Sequence, residues 1–372
     1  MVLISLILVF LVLMNLILRK SRSFFFLTII FMWLLATFTF ENADEVVYQS
    51  RYETPQLWEN NTEYLFMALI KVCRYLGLTF IEYKGVVFAI LLFLVGSTIW
   101  KLSHYPNVVL TMYMFYPFLM HISQIRYALA TGVFVFGCRY LVNDNSNRIV
   151  FRKISISLND IKYIVCVIIA SLLHSAALLW IIILIAKKMN VKSNIIIAIL
   201  MNIFIVASSS ISGISSKMFA LIGASNRMDA YFSANYQMTE FRHYGTVIPV
   251  FIVLIIFVIT YMILWKKDHN NVALFGIKLN IIMSVCLSLI LKYSSELYRP
   301  FEGTLILNYI LLLNLIPNEQ FLRVKTRIPY FLSEIFAMSA VILFMFFLVK
   351  GNIQSILVPV FYNNYLFNYF NA

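Results

Sequence analysis

The chain has 372 residues, 62% of them hydrophobic and only 12% charged, with a formal net charge of +13. A soluble domain is expected to be about 45–50% apolar and about 25% charged, so this composition excludes one. It points instead to an all-α, polytopic membrane protein, because lipid offers the backbone no hydrogen-bond partners and long apolar runs must then be helices. Much of the basic charge lies in short loops between apolar runs, which is the positive-inside pattern and makes anionic lipid, rather than nucleic acid, the nearest counterion.

Residues 1–18 are an uninterrupted apolar run followed by Arg19-Lys20-Ser21-Arg22. A signal peptide carries its charges before the apolar run, so the expectation is an uncleaved span with its N-terminus outside. Ser23–Phe40 returns outward. The loop 41–63 then carries Glu41, Asp44, Glu45, Glu53, Glu59 and Glu63 against a single Arg51. Tyr64–Gly77 has an apolar face opposite Lys71 and Arg74 and reads as an interfacial or re-entrant helix. Phe80–Trp100 is a span, and Val108–Ile122 and Ile125–Leu141 are two closely linked helices joined on the outer side.

Arg139, Arg148, Arg152, Lys153 and Lys162 mark a cytoplasmic loop. Tyr163–Ala186 is apolar except for His174, and Lys187, Lys188 and Lys192 follow it. One crossing would put that lysine cluster outside, against the charge rule. A break at His174-Ser175 would return the chain to the side it came from; some 24 residues at about 1.5 Å each are too few to cross twice but enough for a re-entrant pair. Both arrangements stay open. Asn194–Ser212, Val247–Trp265, Val272–Leu291, Tyr298–Ile316 and Tyr330–Val349 are further spans, with a second outer loop at 213–244 and an aromatic tail, Leu357–Phe370, in the interface. The whole is one membrane domain of roughly ten transmembrane or re-entrant helices. Cys73, Cys138, Cys166 and Cys286 are far apart and read as helix packers, with no metal or disulfide spacing. Asn60-Asn61-Thr62 matches a glycosylation sequon.

Few ionisable residues in or beside apolar helices escape assignment to the cytoplasm. Arg126 opens an apolar helix, with Gln124 before it and Ala128, Ala130 and Gly132 after it, so a ligand or helix can approach closely. A charge at membrane depth costs roughly 2.5–3.5 kcal/mol, so it normally has a purpose. The guanidinium suits bidentate binding of phosphate or carboxylate; the competing reading is snorkelling to the headgroups. Glu63, His174, Arg227, His243 and Arg299, with Asp44 and Glu45 nearby, complete the set. Each has a plainer reading: Glu63 as a helix cap, His174 as a core histidine, Arg299 paired with Glu302, Arg227 and its neighbours Asp229 and Arg242 as solvated loop charges. A carboxylate with two or three arginines is what a transferase acting on a lipid-linked diphosphate sugar needs, the carboxylate taking the acceptor proton and the guanidinium groups holding the diphosphate.

The order of features — an acidic loop into Asn61-Thr62-Glu63-Tyr64, Gln124-Ile125-Arg126-Tyr127-Ala128-Leu129-Ala130, Ala170-Ser171-Leu172-Leu173-His174-Ser175-Ala176-Ala177-Leu178, then Tyr298-Arg299 — resembles the EpsG family, a Wzy-like group of polysaccharide repeat-unit polymerases placed near the GT-C glycosyltransferases. Tyr127 stands where that family usually has Gln, and Leu173 and Ala176 replace its usual Phe and Pro; Pro300 is also atypical. The resemblance implies a GT-C-like fold in the bacterial cytoplasmic membrane. It implies a glycosyltransferase that polymerises O-antigen, capsule or exopolysaccharide units carried on undecaprenyl diphosphate at the outer face, together with a flippase and a chain-length regulator. It implies Glu63 as base and His174 as acid/base or orienting group. Arg126, Arg299, Gln124, Arg227, His243 and Asp44 would hold substrate, and no metal or other cofactor is implied. Two other functions fit the composition. A flippase or transporter would show repeat symmetry and cations deep in several helices, and a membrane acyltransferase would place a histidine beside a carboxylate.

Overall fold

The computed structural model describes residues 2–61, 63–142, 148–151, 154–207, 240–316, 324–349 and 353–366. Helices α1 (Val2–Ile17), α2 (Arg22–Phe38) and α5 (Phe80–Leu102) run side by side with α8 (Ile125–Val142). Between α2 and α5 lie two short helices, α3 (Glu45–Glu53) and α4 (Tyr64–Tyr75), joined by a 3-10 turn, Pro55–Asn61. As its pattern predicts, α4 buries Phe66, Met67, Ile70 and Cys73 and leaves Lys71 and Arg74 exposed.

Four helices among the described residues are long and apolar enough to cross a membrane: Phe80–Leu102, Ile125–Val142, Tyr244–Lys266 and Asn271–Lys292. Others are shorter or broken, and the breaks have local causes. The segment expected as one helix over Val108–Ile122 is α6 (Pro106–Tyr113), a π turn containing Pro117, and α7 (Leu119–Ser123). Proline removes a ladder donor and clashes with the preceding turn. The expected span Tyr298–Ile316 is likewise a 3-10 turn, Ser295–Tyr298, followed by Arg299–Gly303 and Leu305–Asn314.

The all-α expectation holds for the bundle, and one short element stands outside it. Arg148–Phe151 and Ile154–Ser157 pair as a two-stranded antiparallel hairpin, Arg148 opposite Ser157. These residues read as a basic loop, yet Ile149, Val150, Ile154 and Ile156 are β-branched and suit a pleated ribbon.

Hydrogen bonds fix which helix ends lie together. At one end, Asn107 N–H donates to Arg19 O at 3.2 Å, and Asn314 joins the chain at Leu102 and His104 at 2.6 and 2.8 Å. Arg19, Lys20, Arg22 and Lys101 gather there, so this is the basic end. At the opposite, acidic end, Lys84 of α5 is buried and pairs with Glu45 at 2.6 Å, pinning α3 to the bundle. The C-terminal segment docks at the same end. Asn364 donates to Leu35 O at 3.0 Å, and Tyr365 stacks on Phe40 with ring centroids 4.2 Å apart.

The segment around His174 is a hairpin. Helix α9 (Leu158–Leu173) starts with a Ser157–Asp160 capping box and stops at His174, whose backbone is extended. A 3-10 turn, Ser175–Trp180, and α10 (Ile181–Lys188) lead back. Lys188 then pairs with Asp160 at 2.7 Å, and Tyr163 donates to Trp180 O at 2.6 Å. The two ends of the segment therefore lie at the same end of the bundle. Of the two arrangements open in the sequence, the geometry is the re-entrant one, with His174-Ser175 at the tip. The next helix, α11 (Val191–Ala207), starts from that same end.

Among the described residues the interior is one large apolar cluster with a small second one, Ile205, Val285 and Leu289; small polar networks cross it. Asn15 donates to Thr28 at 2.8 Å and accepts from Asn107 at 3.1 Å; Asn280 and Tyr261 both bond Asn308. In lipid such side chains bond helix to helix. All four cysteines are buried and free. The sequon lies at the edge of the described residues, and its side chains fall outside them.

Candidate active site

Helix α8 begins immediately after a break. Gln124 ends α7 in a non-helical conformation, and Arg126 occupies the second position of α8. A side chain there points back past the helix start, and Arg126 is 9% exposed. Its Nη1 donates to Glu63 Oε2 at 2.7 Å. Arg126 is therefore neither snorkelling nor solvated: it is held inside the protein by a carboxylate sixty-three residues earlier in the chain.

Glu63 stands at the N-cap of α4 but makes no capping bond with its side chain. Its carboxylate is fully buried, and its second oxygen, Oε1, accepts the backbone N–H of Ser175 at 3.3 Å. The tip of the α9–α10 hairpin is thereby fixed against α4 and α8. Tyr48 and Phe66 flank the Arg126 guanidinium, with ring centroids 5.9 and 5.8 Å away. Two aromatic faces therefore line the ion pair.

Tyr127 is the hub on the other side. It is fully buried, and its ring meets His174 edge-on at 5.5 Å and His121 at 5.7 Å. Its hydroxyl donates to the carbonyl of Arg299. Trp180, stacked on Phe134 at 4.1 Å, donates its indole N–H to Pro300 O at 2.8 Å. Gly303 lies against the same indole, so closely that a Cβ would come within 2.3 Å of it. The Arg299 turn is thus clamped from behind by Tyr127 and Trp180.

Arg299 forms an ion pair with Glu296, one turn before it, and not with Glu302 as its spacing also allowed. Glu302 points inward and is fully buried. The hydroxyls of Tyr116 and Tyr127 face its carboxyl, yet neither oxygen has a partner at normal hydrogen-bonding geometry. Gln124 faces the Tyr298 hydroxyl.

Asp44, ahead of α3, looks onto this constellation from the acidic loop. Burial pushes its carboxyl above the usual carboxylate range; Arg299 opposes that shift, Glu296 adds to it, and Arg126 and Arg51 oppose it. Arg51 is itself buried between Tyr48 and Trp58, at 5.7 and 4.8 Å from their ring centroids.

The structure therefore brings together Glu63, Arg126, His174, Gln124, Arg299 and Asp44. Arg227 lies outside the described residues; so does the side chain of His243, whose backbone belongs to the helix Glu240–Asp268. Among the described residues, no group of histidine, cysteine and carboxylate side chains could hold a metal ion. Trp180 and Glu296 went unremarked in the sequence, and Arg51, Tyr127 and Glu302 were named there without a place in the site; Glu302, a carboxylate inside an apolar run, carried the clearest signal of one.

Chemically, the arrangement presents guanidinium groups and a partly buried carboxylate at the acidic end of a membrane bundle, with a histidine at a helix break beside them. Such a site can hold an oxyanion and move a proton. No curated protein and no solved structure matches the chain. The match to the EpsG family runs over residues 22–371, nearly its full length, and the chain belongs to that family.

Proposed function

We propose that this protein is a glycosyltransferase of the polymerase kind, joining lipid-linked oligosaccharide repeat units into a surface polysaccharide. The acidic end of the bundle faces outward, as the basic loops at the other end require. The donor is an oligosaccharide on undecaprenyl diphosphate, in the outer leaflet of the bacterial cytoplasmic membrane. Membership of the EpsG family supports this reading, and the observation that carries it here is the buried Glu63–Arg126 pair beside Arg299. It is a preorganised pair of guanidinium groups, each held by a carboxylate, at the end of the bundle where a diphosphate would be bound.

In this reading Arg126 and Arg299 bind the diphosphate and stabilise charge growing on the leaving group. Glu63 orients Arg126. His174, at the hairpin tip, orients the sugar or shares a proton. Gln124 supplies amide hydrogen bonds, and Arg227 and His243 contribute from the second outer loop. A flippase delivers the substrate, and a chain-length regulator sets the product size.

The test is the length of cell-envelope glycan in a deletion strain, with membrane levels of the protein matched. Wild type is expected to restore a ladder of repeats, and Arg126→Ala to leave a single unit. Loss of even the single surface unit on deletion would point to export instead. A full ladder from Arg126→Ala would remove Arg126 from the mechanism.

A further inference from the structure

The transfer proposed above needs a group that takes the proton from the attacking sugar hydroxyl. Glu63 is badly placed for it. Its carboxylate is fully buried, with one oxygen on Arg126 and the other on Ser175 N–H. An acceptor hydroxyl has no approach to it. Glu302 is equally enclosed, behind Arg299. Glu296 is the ion-pair partner of Arg299.

Asp44 differs from all three. It is only partly buried, it does not cap α3, and among the described residues no side-chain hydrogen bond or ion pair engages its carboxylate. Arg299, Arg126, Arg51 and Glu296 are the charged groups that face it. Its own helix, α3, is fixed to the bundle by the Glu45–Lys84 pair next door, so the carboxylate stands on a rigid support.

We propose that Asp44 is the catalytic base of the transfer, and that Glu63 is a positioning residue which acts through Arg126. This rests on the polymerase reading. The acceptor O–H bond breaks and its proton passes to the Asp44 carboxylate. The acceptor oxygen bonds to the anomeric carbon of the donor sugar. The bond from that carbon to the diphosphate oxygen breaks, and its electron pair leaves with the lipid diphosphate, held at Arg126 and Arg299. The direction of the Asp44 shift agrees with this role, since a base works best when its pKa lies nearer the operating pH.

The experiment uses full-length protein in proteoliposomes with the lipid-linked repeat unit, measuring initial rates against donor concentration and pH. Asp44→Asn is expected to lower kcat by about 100-fold or more. KM for the donor should stay level or fall, because removing a negative charge beside the arginines does not weaken anion binding. The wild-type rate should rise with pH as Asp44 loses its proton, and the residual Asp44→Asn rate should lack that rise. Asp44→Glu should recover part of the loss, with the acid limb displaced.

An Asp44→Asn kcat within about three-fold of wild type, or a change confined to KM, overturns the assignment. Should Asp44→Asn be lost from the membrane, Asp44→Glu decides: an acid limb unchanged from wild type overturns the proposal. Wild type that makes no polymer overturns the polymerase reading and this base together. A wild-type ladder matched by an Asp44→Asn ladder overturns the base alone.

Discussion

At the residue scale, the telling contrast is between two acidic residues of one loop. Glu63 is sealed in with Arg126, whereas Asp44 is only partly buried among arginines. Removing the carboxylate from a buried pair leaves an uncompensated charge, typically at a cost of about 3–5 kcal/mol. Glu63→Ala is therefore expected to reduce both thermal stability in detergent and activity, while Asp44→Asn reduces activity alone; a fluorescence-detected melting curve separates the two. Arg126→Lys is expected to fail like Arg126→Ala in the ladder assay, since an ammonium cannot span both a carboxylate and a diphosphate as a planar fork does. Arg126 and His174 were legible in the sequence because charge and imidazole inside apolar runs are rare, and because a family motif surrounds each. Tyr127 was not: it stood out only as a departure from that motif, and its role depends on contacts to residues 174 and 299 that no local pattern encodes.

At the scale of elements, the candidate site residues sit where helices break. Gln124 separates α7 from α8, His174 ends α9, and the turn Ser295–Tyr298 precedes Arg299. A broken helix presents unpaired backbone groups, which membrane proteins tolerate only against other protein or a polar cavity. The lysine cluster after residue 186 betrayed the hairpin in the sequence, since charge bias and a single crossing disagreed. The split of the Tyr298–Ile316 segment left no such trace, because hydropathy is blind to which turn of an apolar run is 3-10. Two substitutions test these supports. Gly303→Ala forces a methyl into the Trp180 indole and is expected to destabilise by about 1–3 kcal/mol, read as a lowered melting temperature. Lys84→Met leaves Glu45 unpaired and should destabilise more, whereas Lys84→Met with Glu45→Leu should recover most of the loss.

For the whole molecule, composition was decisive about the class, and the hydropathy pattern placed the four long helices. It could not place the β-hairpin, which lies in a loop, nor the docking of the C-terminal segment on α2, a contact between the two ends of the chain. Orientation is testable with a membrane-impermeant thiol reagent, because the native cysteines are buried. Cysteines placed at the exposed positions His104 and Asn190 are expected to react only in permeabilised cells, and one at Gln49 in intact cells. Labelling of the Asn190 position from outside would replace the hairpin by a single crossing.

The α9–α10 hairpin also sets an order of assembly. Its tip is too polar to rest in bare lipid, and it docks on Glu63, which is already paired with Arg126. Chains emerge from the ribosome N-terminus first, so the socket made by α4 and α8 exists before the plug is synthesised. The Arg299 turn, which closes over Trp180, comes later still. A nascent chain halted after residue 188 would hold the socket, the plug and both clamping side chains, but not the Arg299 turn they hold. Assembly of the site is thus expected to proceed from its centre outward, with its second arginine the later of the two to arrive.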